Sequence, residues 1–166
     1  VDLPSIYHPI EMGLPDPQRA ARMVAFARDT LEHIQIPGGW LIPYSSPWRP
    51  TEPSGVLHSS RVCCPNEALH TALAAYQAGL DDYAHRILRG VCYSVMHSVT
   101  AAGSLCNKVD AQGRGQWHPD FADPTSLFFR TVAEGLFGIE PSVPAGKVRF
   151  APLPPPDWNR ASLSSA

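Results

Sequence analysis

The sequence predicts a mainly α-helical fold of antiparallel α-hairpins that passes into a β element near its C-terminal end. Apolar residues recur at helical spacing in four stretches, and each stretch opens on a proline or an acidic residue. Most of them close on glycine, and after Gly138 the period changes from helical to alternating.

The first stretch begins at Pro15-Asp16-Pro17, where Asp16 suits an N-cap and Pro17 the first helical position. Ala20, Met23, Val24, Ala27, Leu31 and Ile34 follow at helical spacing, which predicts a helix from about Pro17 to about His33. Pro37 to Arg61 is rich in proline and glycine and reads as a long loop. Pro65-Asn66-Glu67 opens a second helix with Leu69, Leu73 and Tyr76, stopped by Gly79; Asp81-Asp82 open a third with Tyr83, Ile87, Leu88, Val91 and Val95. These two form an antiparallel αα-hairpin. Gly103 ends the third helix, Asn107 to Asp120 is a polar loop, and Asp123-Pro124 repeats the cap-plus-proline signal for a fourth helix ending at Gly138. Lys147-Val148-Arg149-Phe150 then alternates like a strand, and Ala161 to Ser165 suits a second short one.

Composition narrows the function. Of 166 residues, 44% are hydrophobic and 17% charged, with a net charge of −2, so neither disorder nor an electrostatic grip on nucleic acid is expected. No apolar run is long enough to span a membrane, and Val1-Asp2-Leu3-Pro4 has neither the basic start nor the apolar stretch of a signal peptide, so no membrane partner is expected. That opening fits a chain that begins within a longer polypeptide. The 18 prolines and 12 glycines imply long, shaped loops, where sites are usually built. Cys63, Cys64, Cys92 and Cys106 are too few for a disulfide scaffold.

The run Phe129-Arg130-Thr131-Val132-Ala133-Glu134-Gly135-Leu136-Phe137-Gly138-Ile139-Glu140-Pro141, with Gly146-Lys147-Val148, Leu153-Pro154 and Trp158-Asn159-Arg160-Ala161-Ser162-Leu163, resembles the end of the catalytic module of the six-hairpin glycosidase superfamily. Gly38-Gly39-Trp40-Leu41-Ile42-Pro43-Tyr44 and residues 66–79 look like its preceding hairpins. The resemblance implies part of an incomplete (α/α)6 toroid over residues 1–141, followed at 142–166 by a connector and strands of a β-sandwich. It also implies glycoside hydrolysis, a secreted or periplasmic location, and an oligosaccharide or polysaccharide as partner. An incomplete toroid would leave a large apolar helical face, to be covered by the remainder of a longer chain or by a homo-oligomer.

Glycoside cleavage ordinarily uses two carboxyl groups, one protonated and one ionised. Glu67 suits the ionised role, because it lies in a first helical turn where the helix dipole favours its charge; ordinary charge complementarity at a helix start is the other reading. Asp120, beside Trp117 and His118, and Glu11, near Tyr7 and His8, are the further catalytic candidates. Asp123 reads as a helix cap and Glu134 as structural. Trp40, Tyr44, Trp48 and Trp117 suit sugar platforms, with His118 and His8 at their side, although tryptophans also pack loops onto helices.

Arg61-Val62-Cys63-Cys64-Pro65-Asn66 resembles the β-L-arabinofuranosidases, whose zinc-bound cysteine is the nucleophile, with His58 and His70 as conceivable ligands here. This sequence has no upstream Glu-x-Cys pair and diverges after Glu67, so no metal or cofactor is assigned. Two further function classes stand beside the hydrolase. One is a non-catalytic carbohydrate-binding or scaffold segment. The other is a lyase acting on uronate polymers through Tyr44, Arg49 and His58.

Overall fold

The computed structural model describes residues 2–44, 63–119 and 121–162. About half of it is helical, and the strands form three separate antiparallel pairs, so the mainly α expectation holds.

Helix α1 spans Pro4–Glu11 and was not legible as a helix, because Pro4, Pro9 and Gly13 punctuate it. Leu3, Ile6, Tyr7 and Ile10 nevertheless fall on one face and are buried there. Helix α2 runs Pro17–Thr30, capped as expected by Asp16, whose Oδ1 accepts the Arg19 N–H at 2.9 Å. It stops short of His33 because Leu31 turns extended. Its core face is Ala20, Val24 and Ala27.

The start of the predicted long loop is a β-hairpin. Strands β1 (Ile34–Ile36) and β2 (Gly39–Leu41) pair antiparallel across Pro37-Gly38, with Gly38 at a φ of 79°. This hairpin lies so close to helix α4 (Asp81–Met96) that a Cβ on Gly90 would stand 2.0 Å from the Trp40 carbonyl oxygen.

Helix α3 (Pro65–Gln77) is the centre of the molecule, buried on nearly every face, with α1, α4 and α5 (Ala122–Arg130) packed around it. Ala68, Leu69, Ala72, Leu73 and Ala75 are fully buried. Small alanines let the neighbouring helices come close, and the leucines fill the spaces between. Gly79, at a φ of 73°, ends α3 and starts the antiparallel turn into α4, as the sequence predicts.

The polar loop after α4 also holds a hairpin, β3 (Lys108–Val109) and β4 (Gly115–Gln116). Its turn is organised by Asp110, whose Oδ1 accepts the Gln112 and Arg114 N–H groups at 2.9 Å while Oδ2 takes the Arg114 guanidinium at 2.8 Å. Val109 N–H donates to the Cys63 carbonyl at 3.1 Å, which ties this hairpin to the entrance of α3.

The fourth predicted helix is α5 followed by a π-helical turn, Thr131–Leu136. Asp123 is not its cap: Phe121 holds that position and Asp123 lies in the first turn. Gly135 is required here, since a Cβ would come within 2.3 Å of the Tyr76 ring. The strand expected at Lys147–Phe150 is present as β6, paired with β5 (Ile139–Ser142). The boundary expected between 141 and 142 thus falls inside β5. Beyond β6 the chain returns to α4, where His85 Nε2 donates to the Leu153 carbonyl at 2.7 Å and Arg89 meets Asp157 at 2.8 Å. Ala161 and Ser162 are not in a strand, and the rest of the short strand expected there lies outside the described residues. Among the described residues no helix is long and apolar enough to cross a membrane.

Candidate functional site

Four elements converge at the N-terminal end of α3: α1, the first turns of α3, the β3–β4 hairpin and the start of α5. Their polar side chains gather around Glu67, which is only 8% exposed. The Tyr7 hydroxyl donates to Glu67 Oε2. The Asn66 side-chain amide donates to Glu67 Oε1 at 3.4 Å and to Asp123 Oδ2 at 3.3 Å. The two carboxyl oxygens therefore stand no farther apart than these two hydrogen bonds laid end to end.

The electrostatics divide the carboxyl groups. Burial pushes the Glu67 carboxyl above its usual range, and the negative charge of Asp123 adds to this; the Tyr7 hydroxyl, His70 and His8 pull the other way without reversing it. At so buried a position loss of water shifts Glu67 upward, opposite in direction to the helix-dipole effect expected from the sequence. The direction is the one a proton-donating carboxyl needs. Asp123 is exposed and keeps contact with water.

Glu11 is held in a charged network. His70 Nδ1 approaches Glu11 Oε1 at 2.5 Å, and the Arg130 guanidinium donates to Oε2 at 2.7 Å. Burial alone would raise the Glu11 carboxyl, but His70 and Arg130 outweigh it and hold it below the usual range. Arg130 also donates through Nε to both Glu134 oxygens, at 3.0 and 3.1 Å, which gives Glu134 the structural part the sequence suggests. The His70 ring stacks on Tyr7, with centroids 4.5 Å apart and planes 4° from parallel. His8 is exposed and lies edge-on to both rings.

Tyr44 is half-buried, its carbonyl accepting the Leu3 N–H at 3.1 Å, and its phenol is raised by burial and by the charge of Glu67 nearby. Trp117 is 44% exposed, with the Lys108 ammonium 4.3 Å from its ring centroid and His118 edge-on at 6.0 Å. Trp117 and His118 both have left-handed backbones, with φ of 63° and 40°, a conformation that non-glycine residues adopt at some cost. Trp40 is elsewhere. It packs between Tyr83 and His33 under the Arg86 guanidinium, at the opposite end of α3, beside a cleft of about 490 Å³ lined also by Arg28, Asp81 and Asp82. Trp48, Asp120, His58 and Arg49 lie outside the described residues.

The adjacent cysteines border the site but are not poised as thiolates. Cys63 is fully buried, donates its thiol to the Ile42 carbonyl at 3.4 Å, and is pushed far up by burial. Burial and Glu67 push the Cys64 thiol up to about 12. Among the described residues no three His, Cys, Asp or Glu side chains converge into a metal-holding group.

Sequence reasoning overlooked Tyr7, Asn66 and Arg130 and gave Asp123 to capping. The signal for Tyr7 is the four-residue spacing of Tyr7 and Glu11 on one face of α1, and His70 follows Glu67 by three on α3. No family model, curated protein or solved structure matches the chain.

Proposed function

We propose that the chain is part of a glycoside hydrolase in which Glu67 donates a proton to the leaving-group oxygen and Asp123 is the ionised partner. The observation that carries this reading is the Asn66 amide bridging a buried carboxyl, shifted upward by its burial, and an exposed one. Tyr7 fixes the orientation of Glu67, and Trp117 offers the ring face on which a sugar stacks. The six-hairpin toroid implied by the sequence resemblance belongs to this proposal. Glu11 is not the base here: both of its oxygens are engaged by His70 and Arg130.

The lyase reading is weaker. It needs a phenol or imidazole that takes a proton from carbon, and burial with the neighbouring Glu67 pushes both Tyr7 and Tyr44 away from ionisation. The non-catalytic reading has one observation in its favour, the salt-bridged burial of Glu11.

The test is release of reducing sugar from a panel of neutral and acidic oligosaccharides by wild type, Glu67→Gln and Asp123→Asn. Hydrolysis that falls about 10²- to 10⁴-fold in either variant supports the assignment. Unsaturated products select the lyase, and saccharide binding without turnover selects the binding role.

A further inference from the structure

Glu11 lies beside the proposed catalytic pair without touching it, and the geometry points to a defined part for it. Its Oε2 accepts from the Arg130 guanidinium at 2.7 Å, and Arg130 is itself held by Glu134 at 3.0 Å. Two acidic side chains thus fix one guanidinium, and the guanidinium fixes the Glu11 carboxylate. An ionised carboxylate is an acceptor only. The 2.5 Å contact between Glu11 Oε1 and His70 Nδ1 therefore requires the proton on Nδ1. In the neutral imidazole this leaves Nε2 bare, the reverse of the tautomer that an unconstrained histidine side chain favours.

The same ring lies flat on Tyr7 at a centroid distance of 4.5 Å, and His8 closes the cluster from its edge, 5.4 Å from His70. Tyr7 in turn donates to Glu67 Oε2. A chain of contacts therefore runs from Glu134 and Arg130 through Glu11, His70 and Tyr7 to Glu67. Its anchoring points lie on α1, α3, α5 and the π-helical turn. Rotation of the His70 ring would remove the surface on which the phenol rests.

We propose that Glu11 is a positioning residue of this site: clamped by Arg130, it holds His70 in the Nδ1–H tautomer against Tyr7 and so keeps the Tyr7 hydroxyl aimed at Glu67. The proposal rests on the reading of Glu67 as the proton donor for its consequence in catalysis, but its geometry is tested without any substrate. Two-bond 15N–1H correlation spectra of the 15N-labelled protein report the tautomer of each histidine, and His70→Gln assigns the ring. The spectra are recorded at about pH 8.5, above the ordinary histidine range. The expected result is a protonated Nδ1 and a bare Nε2 for His70 in the wild type, with a shift toward the Nε2–H form in Glu11→Gln. A wild-type His70 protonated on Nε2 overturns the proposal, and this reading needs no variant to fold.

In turnover, Glu11→Gln is expected to lower kcat about 10- to 100-fold with KM little changed, the size and pattern of a lost orienting partner. An unchanged kcat in a folded Glu11→Gln protein overturns the positioning role. A wild type with the expected tautomer that cleaves no glycoside supports the network and counts against the hydrolase reading alone. A glycosidase whose His70 carries its proton on Nε2 does the opposite.

Discussion

Glu67 and Glu11 are both buried glutamates on helices that pack together, yet their surroundings push them in opposite directions. Glu67 has a folded-state value above its unfolded one, so the stability it contributes is fully present below the unfolded value and is lost as pH rises through the folded value. Glu11 has a lowered value, so its contribution is present above the unfolded value and is lost as pH falls through the folded one. Glu67→Gln keeps an acceptor for the Tyr7 hydroxyl while removing the buried charge. It is expected to become more stable, relative to wild type, as pH rises from about 4 to 8. Glu11→Gln is expected to cost about 2 kcal/mol at neutral pH, less than the ~3–5 of a fully buried pair because the Arg130 side chain is 37% exposed. That cost should shrink as pH falls below the ordinary glutamate range and wild-type Glu11 itself takes up a proton. Urea midpoints at pH 4, 6 and 8, with an added point near 3 for Glu11→Gln, check both; a Glu67→Gln protein that loses ground as pH rises would contradict the placement of that carboxyl. Glu67 was legible as a first-turn residue because it follows Pro65 at a helix start. Its burial was not legible, because its partner Tyr7 comes from α1, far away in the chain.

At the scale of elements, the helices with strong caps and apolar periodicity were legible. Asp16-Pro17 begins α2, Pro65 begins α3, and Gly79 separates α3 from α4. Helix α1 was not, because its two prolines mask a short amphipathic face, and with it the sequence hid Tyr7. Both short hairpins inside the loops were missed for the same kind of reason: two- and three-residue strands leave no alternation to read. Their placement is fixed by close approach. Gly90 lets β2 lie directly on α4, and a Cβ there would meet the Trp40 carbonyl at 2.0 Å. Gly90→Ala improves helix propensity but forces the β1–β2 hairpin away, and is expected to destabilise by about 1 to 3 kcal/mol despite that gain. Thermal unfolding followed by circular dichroism would show the loss; an unchanged or higher Tm would mean that the hairpin does not rest on α4 in this way.

For the whole molecule, α3 is the wall shared by α1, α2, α4, α5 and the π-helical turn, and its N-terminal end holds the proposed site. The flank between α4 and α5 is different in character: a groove of about 810 Å³ is lined by Val95, Leu105 and Phe128, with Met96 66% and Phe129 69% exposed at its rim. Apolar surface of this kind binds hydrophobic dyes. Phe129→Ser is expected to lower dye fluorescence while moving Tm by no more than about 2 °C, since the ring is mostly in water. The central claim concerns the other end, where Glu67 is assigned as proton donor. It is tested most directly by comparing Glu67→Gln with wild type on a pair of glycosides of the same sugar, one with an alcohol leaving group and one with a dinitrophenolate. The alcohol must be protonated to leave and the dinitrophenolate need not be. Glu67→Gln is expected to lose about 10²-fold or more on the first substrate and little on the second. Equal losses on both would contradict that assignment, and would leave Glu67 as a buried structural acid held by Tyr7.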